Sequence, residues 1–249
     1  MAEKGTQTIY GLHAVRLMLE RHPQRVLGVR LAGHRGDPRA RAIEELAHRQ
    51  QRPLARVDAQ LLRQQLGEVT HQGVSAEVLP LPSWREDDLL TALAGVQSPL
   101  LLALDGVQDP HNLGACLRTA DACGALAVIV PRDRAAQLTP AARKVAAGAA
   151  ETTPVAVVTN LVRTLRLLKE ANLWVVGADA TAEQEPWQLD LRGPLVLVLG
   201  AEGSGLRHLT REHCDFMVRL PQVGSVESLN VSVAAGMLLY EALRQRRAP

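Results

Sequence analysis

Short apolar runs alternate with longer amphipathic segments from residue 100 to the end of the chain. The runs have the length and aliphatic composition of buried strands, and the longer segments repeat their apolar residues at helical spacing. Strands are predicted at 100–104, 126–130, 155–158, 173–177, 195–199 and 216–220. Helices are predicted at 113–123, 139–147, 161–171, 205–213 and from about residue 230 onward. Because strands that alternate with helices form a parallel sheet covered by helices, this pattern predicts an α/β fold.

The first third of the chain follows the same alternation on a smaller scale. Helices are predicted from Thr8 to about His22, at 38–50 and at 58–66, strands at 26–31, 54–57 and 73–79, and a turn at 33–38. The composition most typical of a linker follows, with Pro80, Pro82 and a run of mixed charge. We therefore predict a small α/β domain at 1–78, a linker at 79–97 and a larger α/β domain at 98–249.

Composition and charge distinguish the two predicted domains. Hydrophobic residues make up 47% of the chain, which is enough for packed cores, whereas aromatic residues make up only 2% and leave little scope for base stacking. Residues 1–78 hold 12 Lys and Arg against 8 Asp and Glu, whereas residues 79–249 hold 16 against 18. Phosphate contacts supply much of the affinity for nucleic acids, so the small domain is the better candidate for binding a polyanion.

Three cysteines, Cys116, Cys123 and Cys214, lack the spacing of a zinc site or of a disulfide framework. They are predicted to be small core residues in a reducing compartment, and no metal is expected. The N-terminus lacks a basic-then-apolar signal pattern, and no apolar run approaches the ~18 residues of a membrane span. A cytoplasmic protein without a membrane partner is the expectation.

Three of the predicted strands end in loops rich in glycine and polar residues. The loops are 105–114, 200–205 and 221–230. In open α/β sheets, ligands bind outside the carboxyl ends of the strands, so the three loops are predicted to form one site. Part of the third loop has a simpler interpretation, because Ser228 and Asn230 are both good N-caps for the helix that follows.

Two classes of enzyme fit these loops poorly. Gly200, Gly203 and Gly205 follow a strand, but their spacing is GxxGxG rather than the GxGxxG of dinucleotide-binding folds, and too few residues follow to complete such a fold. The chain contains no GxSxG motif of the kind found in serine hydrolases. A non-catalytic RNA-binding protein remains an alternative, although it would not need three polar loops at one crevice.

The same three loops carry recognisable motifs. The stretches LDGVQDPHNLGACLRTADACGA, LVLVLGAEGSGL and LPQVGSVESLNVSVAAGMLLYE resemble the three signature motifs of the SpoU branch of the SPOUT RNA methyltransferases. The stretches IYGLHAV and HQGV, at 9–15 and 71–74, resemble the start and end of the substrate-binding domain of that family. The resemblance therefore covers nearly the whole chain.

The resemblance implies an L30e-like substrate-binding domain, a methyltransferase domain with a deep trefoil knot near its C-terminus, and a homodimer formed through the last helix. It implies methyl transfer from S-adenosylmethionine to a ribose 2′-hydroxyl. The members that modify a guanosine in the P loop of 23S rRNA are the most similar. A tRNA guanosine 2′-O-methyltransferase is the nearest alternative within the family.

The resemblance also assigns the residues of the site. The catalytic and ribose-positioning set is Asn112, Arg118, Glu202, Ser228 and Asn230, and the backbone positions that cradle the cofactor are Gly200, Leu220 and Leu229. If Asn112 caps its helix, Arg118 lies nearly two turns further on and can point toward the loop. A guanidinium holds its proton tightly, so orientation and phosphate neutralisation are the expected roles of Arg118.

Overall fold

A computed structural model of the chain describes residues 5–32, 38–67, 69, 71–79, 83–226 and 228–247. The predicted turn at 33–38, except for its last residue, and residues 80–82 of the predicted linker lie outside the described residues. The chain divides into two compact units, Met1–Pro82 and Ser83–Pro249. Each unit is built around its own β-sheet.

The first unit has a four-stranded sheet in the order β1-β4-β2-β3. Its elements are β1 (Gln7–Tyr10), α1 (Leu12–Arg21), β2 (Val26–Ala32), α2 (Pro38–Arg49), β3 (Leu54–Val57), α3 (Ala59–Leu66) and β4 (Val74–Val78). A short 3₁₀ turn, Pro23–Arg25, joins α1 to β2. Buried side chains of α1 and α2, including Met18, Leu19 and Ile43, pack with those of the strands into one core.

The start of this unit differs from the sequence prediction. Residues Gln7–Tyr10 form a strand rather than the opening of a helix, and this strand pairs antiparallel with β4. Gly11 then adopts φ 94, a conformation that favours glycine, and the helix begins at Leu12. The helical prediction extended too far because the apolar spacing of α1 continues back to Ile9, while the pairing with a strand more than 60 residues away leaves no local signal.

The second unit contains the other elements. They are α4 (Glu86–Leu93), β5 (Leu100–Asp105), α5 (Pro110–Ala122), β6 (Ala127–Pro131), α6 (Pro140–Ala146), β7 (Val155–Val158), α7 (Leu161–Glu170), β8 (Trp174–Ala178), β9 (Leu195–Gly200), α8 (His208–Glu212), β10 (Phe216–Val218) and α9 (Val231–Arg247). Two further 3₁₀ turns are Ala149–Glu151 and Pro186–Gln188.

The six strands of this unit form a sheet in the order β10-β8-β9-β5-β6-β7, and neighbouring strands are parallel. Helices α5, α6 and α9 pack into a core on one face, and α4 and α7 pack into a core on the other. The predicted α/β fold with a parallel sheet is confirmed. The trefoil knot implied by the resemblance stays a prediction.

Part of the segment expected to be a linker belongs to the folded second unit. Trp84 donates its backbone N–H to Val155 O at 3.0 Å and accepts from Val157 N at 2.8 Å, so it extends the edge of the sheet. Helix α4 follows and buries Leu89 and Leu93, which stand four residues apart on one helical face. No helix within the described residues is long and apolar enough to cross a lipid bilayer.

Candidate active site

A cavity of about 330 Å³ lies at the carboxyl ends of strands β8, β9 and β10. This volume is within the usual range for a small-molecule site. It is lined by Ala178, Asp179, Ala180, Leu199, Gly200, Ala201, Glu202, Gly203, Ser204, Gly205, Val218, Leu220, Gln222, Ser228, Leu229, Val231 and Ala234. Five of the eight residues assigned from the resemblance are therefore in the cavity wall: Gly200, Glu202, Leu220, Ser228 and Leu229.

Glu202 joins the three predicted loops through one carboxylate oxygen. Its Oε1 accepts hydrogen bonds from Asn112 Nδ2 at 3.1 Å, from Asn230 Nδ2 at 2.6 Å and from the backbone N–H of Val231 at 3.3 Å. Asn230 Nδ2 also donates to Asn112 Oδ1 at 2.9 Å. Bonds from several donors to one carboxylate are charge-assisted and hold the amides in fixed orientations. The three side chains form a polar network at the edge of the cavity.

Asn230 also caps α9. Its Oδ1 accepts from the backbone N–H of Ser232 at 2.9 Å, the usual bond of an N-cap, and from Ser232 Oγ at 2.5 Å. Asn230 therefore both caps α9 and belongs to the polar network. Ser228 is different, because it is exposed, lines the cavity and makes no side-chain hydrogen bond to any residue that the structure describes.

Helix α5 begins earlier than predicted. Asp109 is its N-cap and accepts from the backbone N–H of His111 at 2.9 Å, with Pro110 in the first helical position. Asn112 is thus within the first turn rather than at the cap. This shift leaves the Asn112 amide free of capping bonds and able to bind Glu202.

Arg118 is not in the cavity wall. Its side chain is exposed on α5 and forms no hydrogen bond or ion pair with the described part of the chain. The neighbouring Leu113 and Leu117 are fully buried, so α5 is fixed to the core and holds the position of Arg118. The role of Arg118 in the site stays a prediction.

Gly200 is required by the backbone of its own loop. A Cβ atom at this position would lie 2.0 Å from the carbonyl carbon of Gly205 and 2.3 Å from Leu206 N. The loop closes here because Ala201 N donates to Gly205 O at 3.1 Å and Gly205 N donates to Ala201 O at 2.9 Å. Gly200 does not have a positive φ, so the close approach alone requires glycine here.

Two carboxylates near these loops were missed by the sequence analysis. Asp105, the last residue of β5, is buried; its Oδ2 accepts from the backbone N–H of Arg207 at 2.9 Å, and its Oδ1 lies 3.4 Å from the Arg207 guanidinium. It therefore ties the first loop to the end of the second. Asp179 lines the cavity after β8, a strand whose loop the sequence analysis did not assign to the site. The signal for both was an aspartate at or just after the end of an apolar strand.

Burial, hydrogen bonds and neighbouring charges shift the pKa values of two residues near the cavity, Asp179 and Cys116. Burial raises the pKa of Asp179, but hydrogen bonds from Thr181 and the ion pair with Arg211 outweigh it, and the pKa is lowered overall. Burial, with a smaller contribution from the Glu202 carboxylate, raises the pKa of Cys116 to about 12. Cys116 is therefore an uncharged core thiol at neutral pH. The described residues contain no cluster of His, Cys, Asp and Glu that could hold a metal ion.

Comparison with known proteins places this architecture in a family. The SpoU rRNA Methylase family model matches residues 99–240, and the model for RNA 2′-O ribose methyltransferase substrate binding matches residues 8–84. A 23S rRNA (guanosine-2′-O-)-methyltransferase RlmB from Pseudomonas syringae pv. tomato is 55% identical over 245 residues, which are 97% of this chain and 97% of the relative. The protein of the same name from Pseudomonas aeruginosa is 56% identical over 243 residues, 96% of this chain and 97% of the relative.

The fold matches a solved structure with a bound cofactor. The SpoU methyltransferase AviRb from Streptomyces viridochromogenes, in complex with AdoMet, is 26% identical with a TM-score of 0.78, and the match covers 97% of this chain and 91% of that one. The resemblance inferred from the three motifs is thus confirmed by matches that extend across both units. The chain belongs to the SpoU rRNA methylase family.

Proposed function

We propose that the protein transfers a methyl group from S-adenosylmethionine to the ribose 2′-hydroxyl of a guanosine in the P loop of 23S rRNA. The relatives at 55% and 56% identity are named as 23S rRNA (guanosine-2′-O-)-methyltransferases, and the related AviRb structure holds the cofactor. The observation that carries the proposal is the polar network of Asn112, Glu202 and Asn230 at the edge of a cavity of cofactor size.

The cavity suits S-adenosylmethionine by its lining. Gly200, Leu220 and Leu229 offer backbone groups and apolar surface to the adenosine, while the carboxylate of Glu202, which pairs with no cation among the described residues, favours a cationic ligand. The cofactor supplies an electrophilic methyl group on its sulfonium. The wall of the cavity is made by loops fastened to one another, so the site is preorganised and much of its contribution is positioning.

The protein side of the reaction is the handling of the hydroxyl. Glu202 Oε1 is occupied by three donors, whereas Oε2 accepts no hydrogen bond from the described residues. Oε2 is the acceptor available to the ribose 2′-hydroxyl. A hydrogen bond to Oε2 would orient the hydroxyl and assist the removal of its proton. Ser228 lines the cavity wall, which supports a proposed contact with the same ribose. The proposed partner of Arg118 is the adjacent phosphate.

The two units divide the work. Residues 1–78 bind the RNA, since this part of the chain has a net charge of +4 and all of it from residue 8 onward lies within the segment that matches a substrate-binding family. The second unit holds the cofactor and the homodimer interface. Support for the dimer comes from α9, which leaves Val233, Met237 and Tyr240 exposed at 47%, 49% and 65% along one stripe. A substrate in rRNA, which the names of the relatives give, supports a cytoplasmic location.

The test is methyl transfer to defined RNA. Purified protein with labelled S-adenosylmethionine should methylate a 23S rRNA transcript that contains the P loop, and mass spectrometry should find 2′-O-methylguanosine at one position. The Glu202→Gln variant, which keeps the shape but loses the charge, should bind the cofactor and transfer far more slowly. Transfer to a tRNA transcript and not to the rRNA transcript would favour the tRNA alternative. Binding of rRNA without any transfer would favour a non-catalytic protein.

A further inference from the structure

The loop between β6 and α6, residues 132–139, follows the carboxyl end of β6, and the proposed site lies at the carboxyl ends of other strands of the same parallel sheet. Strand β6 pairs with β5, whose carboxyl end leads into the loop and helix that carry Asn112. The backbone N–H of Ala136 donates to Val107 O at 2.7 Å. The β6–α6 loop is thus fastened directly to the first motif.

Two further contacts make this loop rigid. The side-chain amide of Gln137 donates to Pro131 O at 3.2 Å, and it lies 3.3 Å from the carbonyl oxygens of both Arg132 and Ala135, so one side chain holds the turn from inside. Beyond the loop, α6 touches α5 at the backbone: a Cβ on Gly114 would lie 2.3 Å from Ala142 O. The loop therefore holds a fixed position relative to α5.

Arg134 stands in this loop with φ 55, in the left-handed region that disfavours side chains such as arginine. Other non-glycine residues in that region have a structural reason. Gln51, Ala147 and Asn172 close the ends of helices, and the side chain of Gln72 accepts the backbone N–H of Leu12 at 3.1 Å. Arg134 closes no helix. A strained residue without a structural reason points to a function.

The β6–α6 loop carries one net positive charge, because Arg132 and Arg134 flank a single carboxylate, Asp133. Arg132 pairs with Asp133 at 3.1 Å, and Arg132, more than Arg134, lowers the pKa of that aspartate. Arg134 itself is exposed and forms no hydrogen bond or ion pair with the residues that the structure describes. A guanidinium that projects from a fixed loop backbone and makes no hydrogen bond to the described residues keeps all its donors available, and their planar arrangement can bind two phosphate oxygens at once.

We propose that the β6–α6 loop is an RNA-contacting surface of the methyltransferase unit, in which Arg134 binds a backbone phosphate near the target ribose. The inference rests on the proposed function, because it takes the bound polymer to be the RNA substrate. It adds a contact outside the first unit, one that fixes the register of the RNA and does not read its sequence.

Arg134→Gly is the decisive variant, because glycine adopts the left-handed backbone without strain while the side chain and its cation are removed. Arg166→Ala is the matched control, since it removes from α7, on the opposite face of the sheet, one exposed arginine that pairs with none of the described residues. Affinity of the full-length variants for the P-loop transcript is measured between 0.05 and 0.2 M salt. We expect Arg134→Gly to lower the salt slope by about 0.7 to 0.9 and the affinity roughly sixfold at 0.1 M salt, as for the loss of one phosphate contact.

Arg166→Ala should bind RNA like the unaltered protein, and Arg134→Lys should recover part of the loss. Equal RNA affinity and equal salt slope for Arg134→Gly and Arg166→Ala would overturn the inference. A loss of S-adenosylmethionine affinity or of thermal stability in Arg134→Gly would also overturn it, because the residue would then be structural. Absence of methyl transfer by the unaltered protein is a separate result, which removes the proposed function.

Discussion

Single side chains in this site carry more than one bond, and Asn230 is the clearest case. Its Oδ1 accepts the backbone N–H of Ser232 in the first turn of α9, and its Nδ2 donates to both Glu202 and Asn112. The capping bond orients the side-chain amide, with its oxygen toward the backbone of α9 and its nitrogen toward the Glu202 carboxylate. The helix cap thereby orients the polar network.

The two roles of Asn230 can be separated by substitution. Asn230→Ala removes both and should cost about 1 kcal/mol of unfolding free energy through the lost cap. Asn230→Ser keeps a capping oxygen but has no amide to bind Glu202, so it should retain most of that stability. Both variants should lose methyl transfer while S-adenosylmethionine affinity stays within a few-fold, as measured by urea unfolding, single-turnover assays and calorimetry. Normal turnover in Asn230→Ser would show that the network is not needed.

Gly200 gives a second prediction at this scale. Gly200→Ala puts a methyl group into the backbone of Gly205, so the loop must open. We expect the free energy of unfolding to fall by about 1–3 kcal/mol and cofactor binding to weaken. Gly193→Ala is the control, because a Cβ there meets nothing within 4 Å. Thermal unfolding with and without S-adenosylmethionine measures both effects. A Gly200→Ala protein as stable as Gly193→Ala would contradict the close contact.

The alternation of strands and helices could be predicted from the sequence, whereas the pairing of β1 with a distant strand could not. Strands 54–57 and 155–158 have the predicted bounds because a proline precedes each of them and a helix N-cap, Asp58 or Asn160, follows soon after. The strand β1 was missed because its partner is distant in sequence, and α4 because prolines and charges precede it. In the site, the polar loops could be predicted, but not the bonds of Asp105 or the contribution of the β8 loop, which depend on the order of strands in the sheet.

Helix α9 carries the prediction at this scale. Met237→Glu puts a charge in the middle of its exposed apolar stripe, and it should separate a dimer into monomers because the charge would be buried without a partner. Leu209→Glu on α8, at a residue 60% exposed, is the control for adding a charge to an exposed aliphatic position. Sedimentation velocity distinguishes the two. A dimeric Met237→Glu protein would place the interface elsewhere.

For the whole molecule, positive charge is concentrated in the first unit and the polar cavity lies in the second. Such a division allows one unit to hold a polyanion while the other holds a cofactor. The boundary between the units matters for any test of this division, since residues from Ser83 onward belong to the second fold.

Two fragments test the division. Residues 83–249 should fold, bind S-adenosylmethionine and lose most of the affinity for RNA together with its salt dependence. Residues 98–249 lack α4, which buries Leu89 and Leu93, and should be less stable by several kcal/mol. RNA binding and thermal unfolding of both fragments are the measurements. Undiminished RNA affinity in the 83–249 fragment would contradict the assignment of RNA binding to the first unit.

Helix α9 also joins two distant places in the fold. It begins beside Asn230 and, over ~25 Å of helix, reaches Arg246, whose guanidinium donates to the carbonyl oxygens of Ser98, Leu191 and Gly193. Because α9 is one continuous helix, contacts made along its middle and the position of Asn230 at its start depend on the same element. If α9 pairs with a second copy, self-association and occupancy of the site are linked, and the linkage is reciprocal. The RNA that binds best to the associated form would then, by the same factor, tighten the association.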